Sequence, residues 1–430
     1  MRHYLTWQKW GRMETRDIID VVEVRTGGEN GRSFRYLLGT GAAEGFGDAL
    51  TRTVLPILAV AVLGLGTGFL GILNAIGLAA FLLFGMPIGM AIDRLRNRGR
   101  VMGSASFVRF LMLAALTIAY FAGWLSGPLL LGAAVLIGVA DVVFTTAQST
   151  VIPVVVEPGA LKHAFSRLAV INQSTSTAAA AAGSAMIGLI GIPVVLLTAA
   201  AAYAGSCLLQ LGIRLGSTET SRPGGPGPRG QFREGFRILR RTPALAVLTV
   251  SGSLTNAGAM LGNTVLPVFV MRDLAIQPAA FAALGVLSAV GAITGAAAAP
   301  RLTGKLGLKK LRSGASLLSV PAVLTTVACQ WLPGPELVWL AFQSFAWSLL
   351  ISVSGVAGAE VLPRIVPRNH LATVGAAQRT ISLGIMPIAA LLGGLIGTVT
   401  GPVPLLWVWA ILAGSAALPI IRTKSLEQFR

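Results

Sequence analysis

The sequence predicts an all-α membrane protein with twelve transmembrane helices in two parallel six-helix repeats. The chain of 430 residues is 54% hydrophobic and 12% charged, with a mean hydropathy of +0.75, which is too apolar for a soluble globule of this size. Apolar stretches of about 20 residues recur along it, and each can cross roughly 30 Å of hydrocarbon. Landmarks of the first half also return in the second half at a nearly constant interval.

The N-terminal stretch, 1–34, is polar and mixed in charge, and it lacks the apolar core of a signal peptide. We interpret it as a cytoplasmic extension. Two alternatives stay open within it: the apolar run at residues 18–24 forms a short amphipathic piece, or translation begins at Met13.

Twelve apolar segments follow, and each is predicted to form one transmembrane span. In chain order they cover residues 36–62, 67–91, 101–123, 128–150, 161–189, 191–214, 243–270, 276–300, 312–332, 336–359, 370–398 and 402–422. The predicted units are a six-helix bundle at 35–214, a cytoplasmic linker at 215–242, a second bundle at 243–422 and a cytoplasmic tail at 423–430. Because six crossings return the chain to its starting side, a duplicated six-helix unit must give parallel repeats.

The basic residues predict the orientation. Lysine and arginine number seven before the first span, four at 94–100, seven at 214–241, five at 301–312 and three at 422–430, whereas the opposite side carries Arg272. Both termini are therefore predicted to be cytoplasmic, in a plasma membrane. The formal charge of +18 then follows from topology, and no nucleic-acid partner is predicted.

A repeated motif supports the duplication. The sequence Thr-Val-Leu-Pro occurs at residues 53–56 and again at 264–267, an interval of 211 residues that we call the repeat interval. The charges nearby were not repeated at that interval: Glu44, Asp48 and Arg52 correspond to Thr255, Ala259 and Asn263. The scaffold was copied, and its ionisable side chains were not.

The first span carries the most informative side chains. Glu44, Asp48 and Arg52 are spaced by four residues, so they share one helical face. A charge at bilayer depth costs roughly 3 kcal/mol on insertion scales, so such groups usually face a bundle interior or a wet cavity. We interpret this face as the lining of a transport pathway; the alternative is a salt-bridged structural face.

The loop between the second and third spans carries a recognisable motif. Gly89, followed by Asp93, Arg94 and Arg98, resembles the signature of the major facilitator superfamily. In that family the aspartate docks against the start of helix 11 and helps to close the cytoplasmic side. The resemblance implies that these four residues form a cytoplasmic gate. Arg96 stands where the family usually has glycine.

Residues 34–422 resemble one branch of this superfamily, the exporters related to macrolide-efflux and enterobactin-exporter proteins. The similarity is carried by residues 34–59 and 151–173. It implies a monomeric secondary transporter, without a cofactor, that exports a small amphipathic organic compound such as a drug, antibiotic or natural product in exchange for protons. Uptake by the same fold, lipid or lysolipid flipping, and a transport-inactive scaffold or sensor are the alternatives.

Helices 1, 4, 7 and 10 line the cavity in this family. Carried over, this implies a substrate cavity that contains Arg52, Thr145, Gln148, Asn256, Asn263, Gln343, Trp347 and Ser348. Asp48, Asp141 and Glu44 are the predicted proton-coupling residues, because burial changes the proton affinity of a carboxylate. Acids in the first half suit a cationic or amphipathic substrate.

Other function classes find no support in the sequence. It contains no nucleophile elbow, no metal-ligand spacing and no Gly-x4-Gly-Lys-Ser/Thr nucleotide loop, so no catalytic residue, metal or ATP is predicted. Cys207 and Cys329 lie in apolar segments near opposite membrane faces, which argues against a disulfide.

Three arginines near the starts of spans, Arg109, Arg167 and Arg379, are predicted to snorkel to the cytoplasmic face in structural roles. Gly291 and Gly295 in the eighth span are spaced for close helix packing. They are expected where the two halves meet, because helix 5 meets helix 8 there in the family. In the linker, residues 232–241 are either a helix on the membrane surface or a solvated connection.

Overall fold

The computed structural model describes residues 28–94, 98–156, 161–213, 228–367 and 370–429. Within these residues the structure is helical throughout and contains no strand. Eleven of the described helices are long and apolar enough to cross a membrane. The remaining predicted span, residues 161–189, forms a helix with those bounds that carries more polar side chains. The predicted cytoplasmic extension lies almost wholly outside the described residues.

The helices follow the predicted order. The first bundle comprises α1 (Gly28–Ile57), α2 (Thr67–Arg94), α3 (Arg98–Phe121), α4 (Gly127–Val155), α5 (Leu161–Leu189) and α6 (Ile192–Gln210). A linker helix, α7 (Pro228–Arg241), precedes the second bundle. That bundle comprises α8 (Pro243–Val268), α9 (Pro278–Leu306), α10 (Leu308–Ala328), α11 (Glu336–Ala359), α12 (Val361–Ile365), α13 (Leu371–Thr400), α14 (Val403–Ser415) and α15 (Ala417–Arg422).

The first helix begins eight residues earlier than predicted, at Gly28. Its polar first turns continue the helix because Phe34 and Leu37 are buried in a core formed by α2, α3 and α4. Arg32 and Arg35 are exposed on the same turns. The hydropathy of these residues marked the apolar part of the helix and not its true start.

The duplication is visible in the backbone. The starts of α2 and α9 are separated by the repeat interval, and so are the starts of α6 and α14. A five-residue π-helical turn follows α1 at Leu58–Val62 and α8 at Phe269–Asp273, again at the repeat interval. Just beyond these turns, Gly64 and Ala275 both adopt positive φ, at +63° and +52°. Alanine rarely adopts such angles, so the copied backbone has overridden a side-chain preference.

The two bundles meet through α2 with α13 and through α5 with α9. A Cβ added at Gly71 would lie 2.6 Å from Gly394 Cα, so only glycine permits this approach. On the other pair, Ser184 donates a hydrogen bond to the Ala279 carbonyl at 3.4 Å. The Arg272 guanidinium donates to the Gly64 carbonyl and joins the two bundles beyond their π-helical turns.

These contacts lie toward one end of the molecule. We call it the far end, and we call the opposite end, where α1 starts and α2 is followed by α3, the basic end. The contacting residues Gly71 and Ser184 lie near the far ends of α2 and α5. Among the residues whose side chains are described, packing between the bundles is therefore concentrated toward the far end.

The prediction for Gly291 and Gly295 is wrong. Both glycines pack against the backbone of α11, at Phe345 and Leu349, and so lie inside the second bundle. The contact between α5 and α9 instead involves Ala180 opposite Gly285. Spacing identified a face for close packing but did not identify the helix that packs there.

The linker helix α7 is docked on the second bundle. Leu239 is buried in a core shared with α8 and α13, and a Cβ at Gly235 would meet the Thr373 backbone. Phe236 on this helix remains exposed. The chain end packs into the same core through Leu426, and Leu308 donates a backbone hydrogen bond to the Phe429 carbonyl at 3.1 Å.

Candidate functional site: a buried arginine among three carboxyl groups

Three helices of the first bundle, α1, α3 and α6, pack closely around a polar interior. Their contact depends on small residues, because a Cβ at Gly47 on α1 would lie 3.1 Å from the ring of Tyr203 on α6. Four-residue spacing on α1 turns Glu44 and Asp48 toward this interior. Asp141 reaches it from α4.

Arg109 on α3 lies at the centre of this interior and is 0% exposed. Its Nη1 donates to Glu44 Oε2 and, at 3.1 Å, to Asp48 Oδ1, while its Nη2 donates to Asp141 Oδ1 at 2.8 Å. The guanidinium also lies 5.4 Å from the Phe144 ring centroid. One cation thus joins carboxyl groups from two helices, which suits the fixed fork of an arginine.

The prediction that Arg109 snorkels to a membrane face is wrong. It lies eleven residues after the start of α3 at Arg98, which places it about 16 Å along the helix. That depth is near the middle of a hydrocarbon layer of roughly 30 Å, beyond the reach of a snorkelling side chain. Its charge is satisfied by carboxylates and not by water.

Tyr203 fixes the position of Asp48. Its hydroxyl donates to Asp48 Oδ1 at 2.6 Å and lies 3.5 Å from the Thr51 hydroxyl. The tyrosine ring also lies 5.3 Å from the Arg109 guanidinium carbon, in cation–π contact. The same aromatic side chain therefore contacts both members of an ion pair.

Glu44 faces a second group of polar side chains. Ser106 donates its hydroxyl to Glu44 Oε1 and lies 3.3 Å from the Ser206 hydroxyl. Gln210 donates to both serine oxygens at 2.9 Å. Both serines and Gln210 are buried.

The three carboxyl groups differ in how far they are exposed. The Glu44 side chain is 3% exposed, that of Asp48 is 20% exposed and that of Asp141 is 39% exposed. Arg52 is 79% exposed and lies 4.0 Å from Asp48 Oδ2, so it flanks the open side. Thr145 is also exposed and donates to the Asp141 carbonyl at 2.8 Å. The site is closed behind Glu44 and open beside Asp141.

The charges of this cluster do not balance. Three carboxyl groups face one buried guanidinium, and Arg52 is too exposed to compensate a second carboxylate strongly. Uncompensated charge at this depth is costly. The site is therefore suited to take up a proton or a cationic group.

The predicted cavity residues of the second bundle do not join this cluster. Asn256 donates to the Ser382 carbonyl at 2.8 Å, and Trp347 packs edge-to-face on Trp409 with centroids 4.9 Å apart. The others are Gln343, which is buried, Ser348, which is partly buried, and Asn263, which is exposed. Within the described part of the chain, none of these five residues forms a hydrogen bond or an ion pair with the three carboxyl groups. Gln148 of the first bundle is buried away from the open side, against Gly41.

The predicted gate residues are placed by the backbone alone. Gly89, Asp93 and Arg94 lie in the last turns of α2, and Arg98 is the first residue of α3. Their side chains lie outside the part of the structure that is described. Their gating role stays a prediction.

Several members of the site were missed by sequence reasoning. Tyr203, Ser206 and Gln210 recur at helical spacing in an otherwise apolar helix, which was a usable signal for an inward polar face. Ser106 and Arg109 repeat this pattern on α3. Three intramembrane acids also required a cation, and Arg109 was the candidate in mid-helix.

Two six-helix bundles with a charged interior in one of them define a multi-pass membrane transporter. A family model described as the Major Facilitator Superfamily matches residues 37–385. The chain therefore belongs to this superfamily, as its gate motif suggested. Comparison with curated protein sequences finds no significant match.

Solved structures of several transporters share the fold. A bacterial homologue of the iron transporter ferroportin in an inward-facing state has 14% identity and a TM-score of 0.71, covering 91% of this chain and 98% of that chain. The nucleoside transporter NupG has 14% identity and a TM-score of 0.70, covering 93% and 100%. An inward-facing bacterial homologue of the lysosomal transporter Spinster has 17% identity and a TM-score of 0.62, covering 90% and 94%.

Proposed function

We propose that the protein is a proton-coupled exporter of a small amphipathic cation, acting as a monomer in the plasma membrane by alternating access. The observation that carries the proposal is the sharing of Arg109 among Glu44, Asp48 and Asp141. Each carboxyl group can be neutralised by the guanidinium, by a proton or by a cationic cargo. Binding of one therefore changes the affinity of the site for the others.

The gradient of exposure supports a division of roles. Asp141, with Asp48 behind it, lies where a cargo can arrive, and Glu44 lies where a cargo cannot. When a cation pairs with Asp141, the guanidinium is released toward Glu44 and Asp48, and a proton held there becomes easier to lose. Cargo binding and proton release are then coupled through one side chain, Arg109.

The packing of the bundles supports alternating access. In the described part of the chain the contacts between the bundles lie toward the far end, which supports opening at the basic end, and the predicted topology makes the basic end cytoplasmic. On that reading the structure is an inward-facing state. Export then requires the contacts between α2 and α13 to open at the far end.

The driving force sets what such an exchange can achieve. A proton entering down 100 mV releases about 2.3 kcal/mol, and one pH unit adds about 1.4 kcal/mol. A one-for-one exchange with a monovalent cation moves no net charge, so only the pH term acts, which is about a tenfold gradient. A second proton would add the voltage term, and three carboxyl groups leave room for it.

The proposal is tested in proteoliposomes that contain the full chain. Tritiated tetraphenylphosphonium serves as the cationic probe, and an imposed pH gradient serves as the driving force. We expect uncoupler-sensitive accumulation in the more acidic compartment, and everted membrane vesicles then give the direction. Flux that ignores the pH gradient would overturn the coupling. Movement of fluorescent lysophosphatidylcholine without a gradient would favour a flippase instead.

A further inference from the structure

Behind the carboxyl cluster, a line of buried polar groups continues toward the basic end. We call it the polar seam, and it consists of Glu44, Ser106, Ser206 and Gln210. It lies between α1, α3 and α6, whereas the open side of the cluster lies beside Asp141 on α4. The seam and the cargo side are therefore on different sides of Arg109.

The α6 part of the seam covers about one helical turn. Ser206 and Gln210 lie on one face of α6, and the four residues from one to the other cover about 6 Å of helix. Gln210 is the last residue of α6 and is followed by the exposed Leu211. The seam thus runs from mid-membrane to the end of a helix.

The hydrogen bonds of the seam form one connected chain. Gln210 Nε2 lies 2.9 Å from Ser206 Oγ, the two serine oxygens are 3.3 Å apart, and Ser106 donates to Glu44. Gln210 Oε1 is buried and has no hydrogen-bond partner among the described residues. Thr40 Oγ1, one turn from Glu44 toward the basic end, is also buried and unpartnered among them. Buried polar atoms usually have partners, and a water molecule can supply one here.

Charged and polar groups lie around Glu44 on the neighbouring helices. On its own helix is Asp48, on α3 are Arg109 and Ser106, on α4 is Asp141 through Arg109, and on α6 are Ser206 and, through Asp48, Tyr203. Asn172 and Thr175 on α5 pack at Gly45 beside it. Among these contacts, the serines and Gln210 are the ones that lead to a helix end without crossing the cargo side.

From this geometry we infer that the polar seam is the route by which the coupling proton travels between Glu44 and the basic end, separate from the path of the cargo. The inference rests on the proton coupling proposed above. It assigns Ser106, Ser206 and Gln210 as proton-path residues. A cargo can then occupy Asp141 while a proton leaves Glu44.

The proton transfer balances along the chain. Once Glu44 is protonated, the Ser106 hydroxyl turns from Glu44 toward Ser206. The Glu44 carboxyl then gives its proton to Ser106 Oγ as Ser106 passes its own hydroxyl proton to Ser206 Oγ. Ser206 passes its proton to water at the Gln210 end, and Glu44 is left as a carboxylate beside Arg109. The amide of Gln210 donates to both serines in the present orientation; turning it over would let its oxygen accept from Ser206 and would support the outward direction.

The test compares net proton flux with cargo exchange in the same proteoliposomes. Ser206→Ala and Gln210→Leu interrupt the chain and leave every carboxyl group and Arg109 in place. Pyranine inside the vesicles reports proton movement that accompanies tetraphenylphosphonium, and counterflow of the labelled cation reports exchange without net proton movement. We expect proton flux to fall about tenfold or more, because a side chain positioned for proton transfer typically raises the transfer rate by at least that factor. Counterflow is expected to persist.

Two controls make the result specific. Ser319→Ala removes an equally buried serine from α10 of the second bundle and is expected to leave proton flux unchanged. Ser206→Thr keeps a hydroxyl and is expected to restore most of the flux. If Ser206→Ala and Gln210→Leu keep the wild-type proton flux, the seam is not the route. If the wild type itself moves no protons with the cation, the proposed coupling fails, and the inference fails with it.

Discussion

The two bundles share a backbone arrangement but differ in the side chains at corresponding positions. At the repeat interval, Arg109 corresponds to Val320 and Tyr203 corresponds to Gly414. In the first bundle the Arg109 guanidinium carbon lies 5.3 Å from the Tyr203 ring. In the second bundle a Cβ at Gly414 would lie 2.6 Å from Val320 Cγ2. The same helix contact therefore holds a cation against an aromatic ring in one copy and an apolar contact in the other.

This difference separates scaffold from chemistry. The second bundle shows that the helix pair packs without any charge, so the charges of the first bundle are not needed to form the fold. Replacing buried ion networks by apolar residues is often neutral or stabilising. Asp141 likewise corresponds to Ser352, which donates to the Ala292 carbonyl at 2.7 Å. Ionisable groups that the scaffold does not require support a functional role for the cluster.

The largest effect is expected at Arg109, the charged residue whose counterpart in the second bundle is Val320. Arg109→Ala leaves three carboxyl groups without their cation, and breaking a buried ion pair typically costs about 3–5 kcal/mol. We expect complete loss of pH-driven transport and a large fall in thermal stability in detergent. Val320→Ala, the matched change in the second bundle, should keep transport and cost less. Normal transport by Arg109→Ala would remove the arginine from the mechanism.

The next effect concerns coupling without a loss of the fold. Asp48→Asn keeps the size of the side chain and removes its charge, so we expect pH-gradient-driven flux in vesicles to be abolished while the protein stays folded. Ala259→Ser, at the matching position of α8, is expected to have no effect on flux. Unchanged transport by Asp48→Asn would exclude Asp48 from the coupling role.

A smaller effect is expected from Tyr203→Phe. This change keeps the ring beside Arg109 and removes the hydroxyl that donates to Asp48 at 2.6 Å. A hydrogen bond to a charged group contributes about 1.5–3 kcal/mol, so transport is expected to fall roughly ten- to hundredfold. The initial rate of proton-driven flux measures it. A rate equal to that of the wild type would show that Asp48 is positioned by Arg109 alone.

The smallest effect concerns an exposed ion pair between α10 and the residues that follow α15. Lys309 lies at the start of α10, and its Nζ is 2.7 Å from Oε1 of Glu427 in the C-terminal tail. This contact holds the pKa of the Glu427 carboxyl below its ordinary value. A lowered pKa in the folded state contributes stability above the ordinary carboxyl pKa, and this stability is lost as the pH falls through the folded value. Glu427→Gln should therefore lower the melting temperature slightly at neutral pH. The difference from the wild type should vanish in acid; a constant difference would contradict it.

Sequence reasoning predicted the scaffold well because hydropathy and repetition act over long stretches. The span at 161–189 coincides with α5, and the repeat interval holds for two pairs of helix starts and for the two π-helical turns. It also placed Glu44 and Asp48 on one face, since their spacing is local. These features depend on periodicity, which one sequence contains.

The residues that sequence reasoning misassigned or overlooked are those whose role depends on which helix they face after packing. Arg109 was assigned to the membrane surface because its partners lie 61 and 65 residues earlier in the chain. Gly291 was assigned to the wrong neighbour for the same reason. Ser206 and Gln210 carry no charge, so their helical spacing with Tyr203 indicated an inward polar face but did not indicate the groups that this face meets.

The contact of Arg272 with the Gly64 carbonyl has a consequence for control of the cycle. Its acceptor is a main-chain oxygen, which does not titrate, and its donor is an arginine, which stays charged at any physiological pH. A change in pH therefore leaves the protonation of both groups of this hydrogen bond unchanged. Protons that bind at the carboxyl groups inside the first bundle would act on this contact through movement of whole helices.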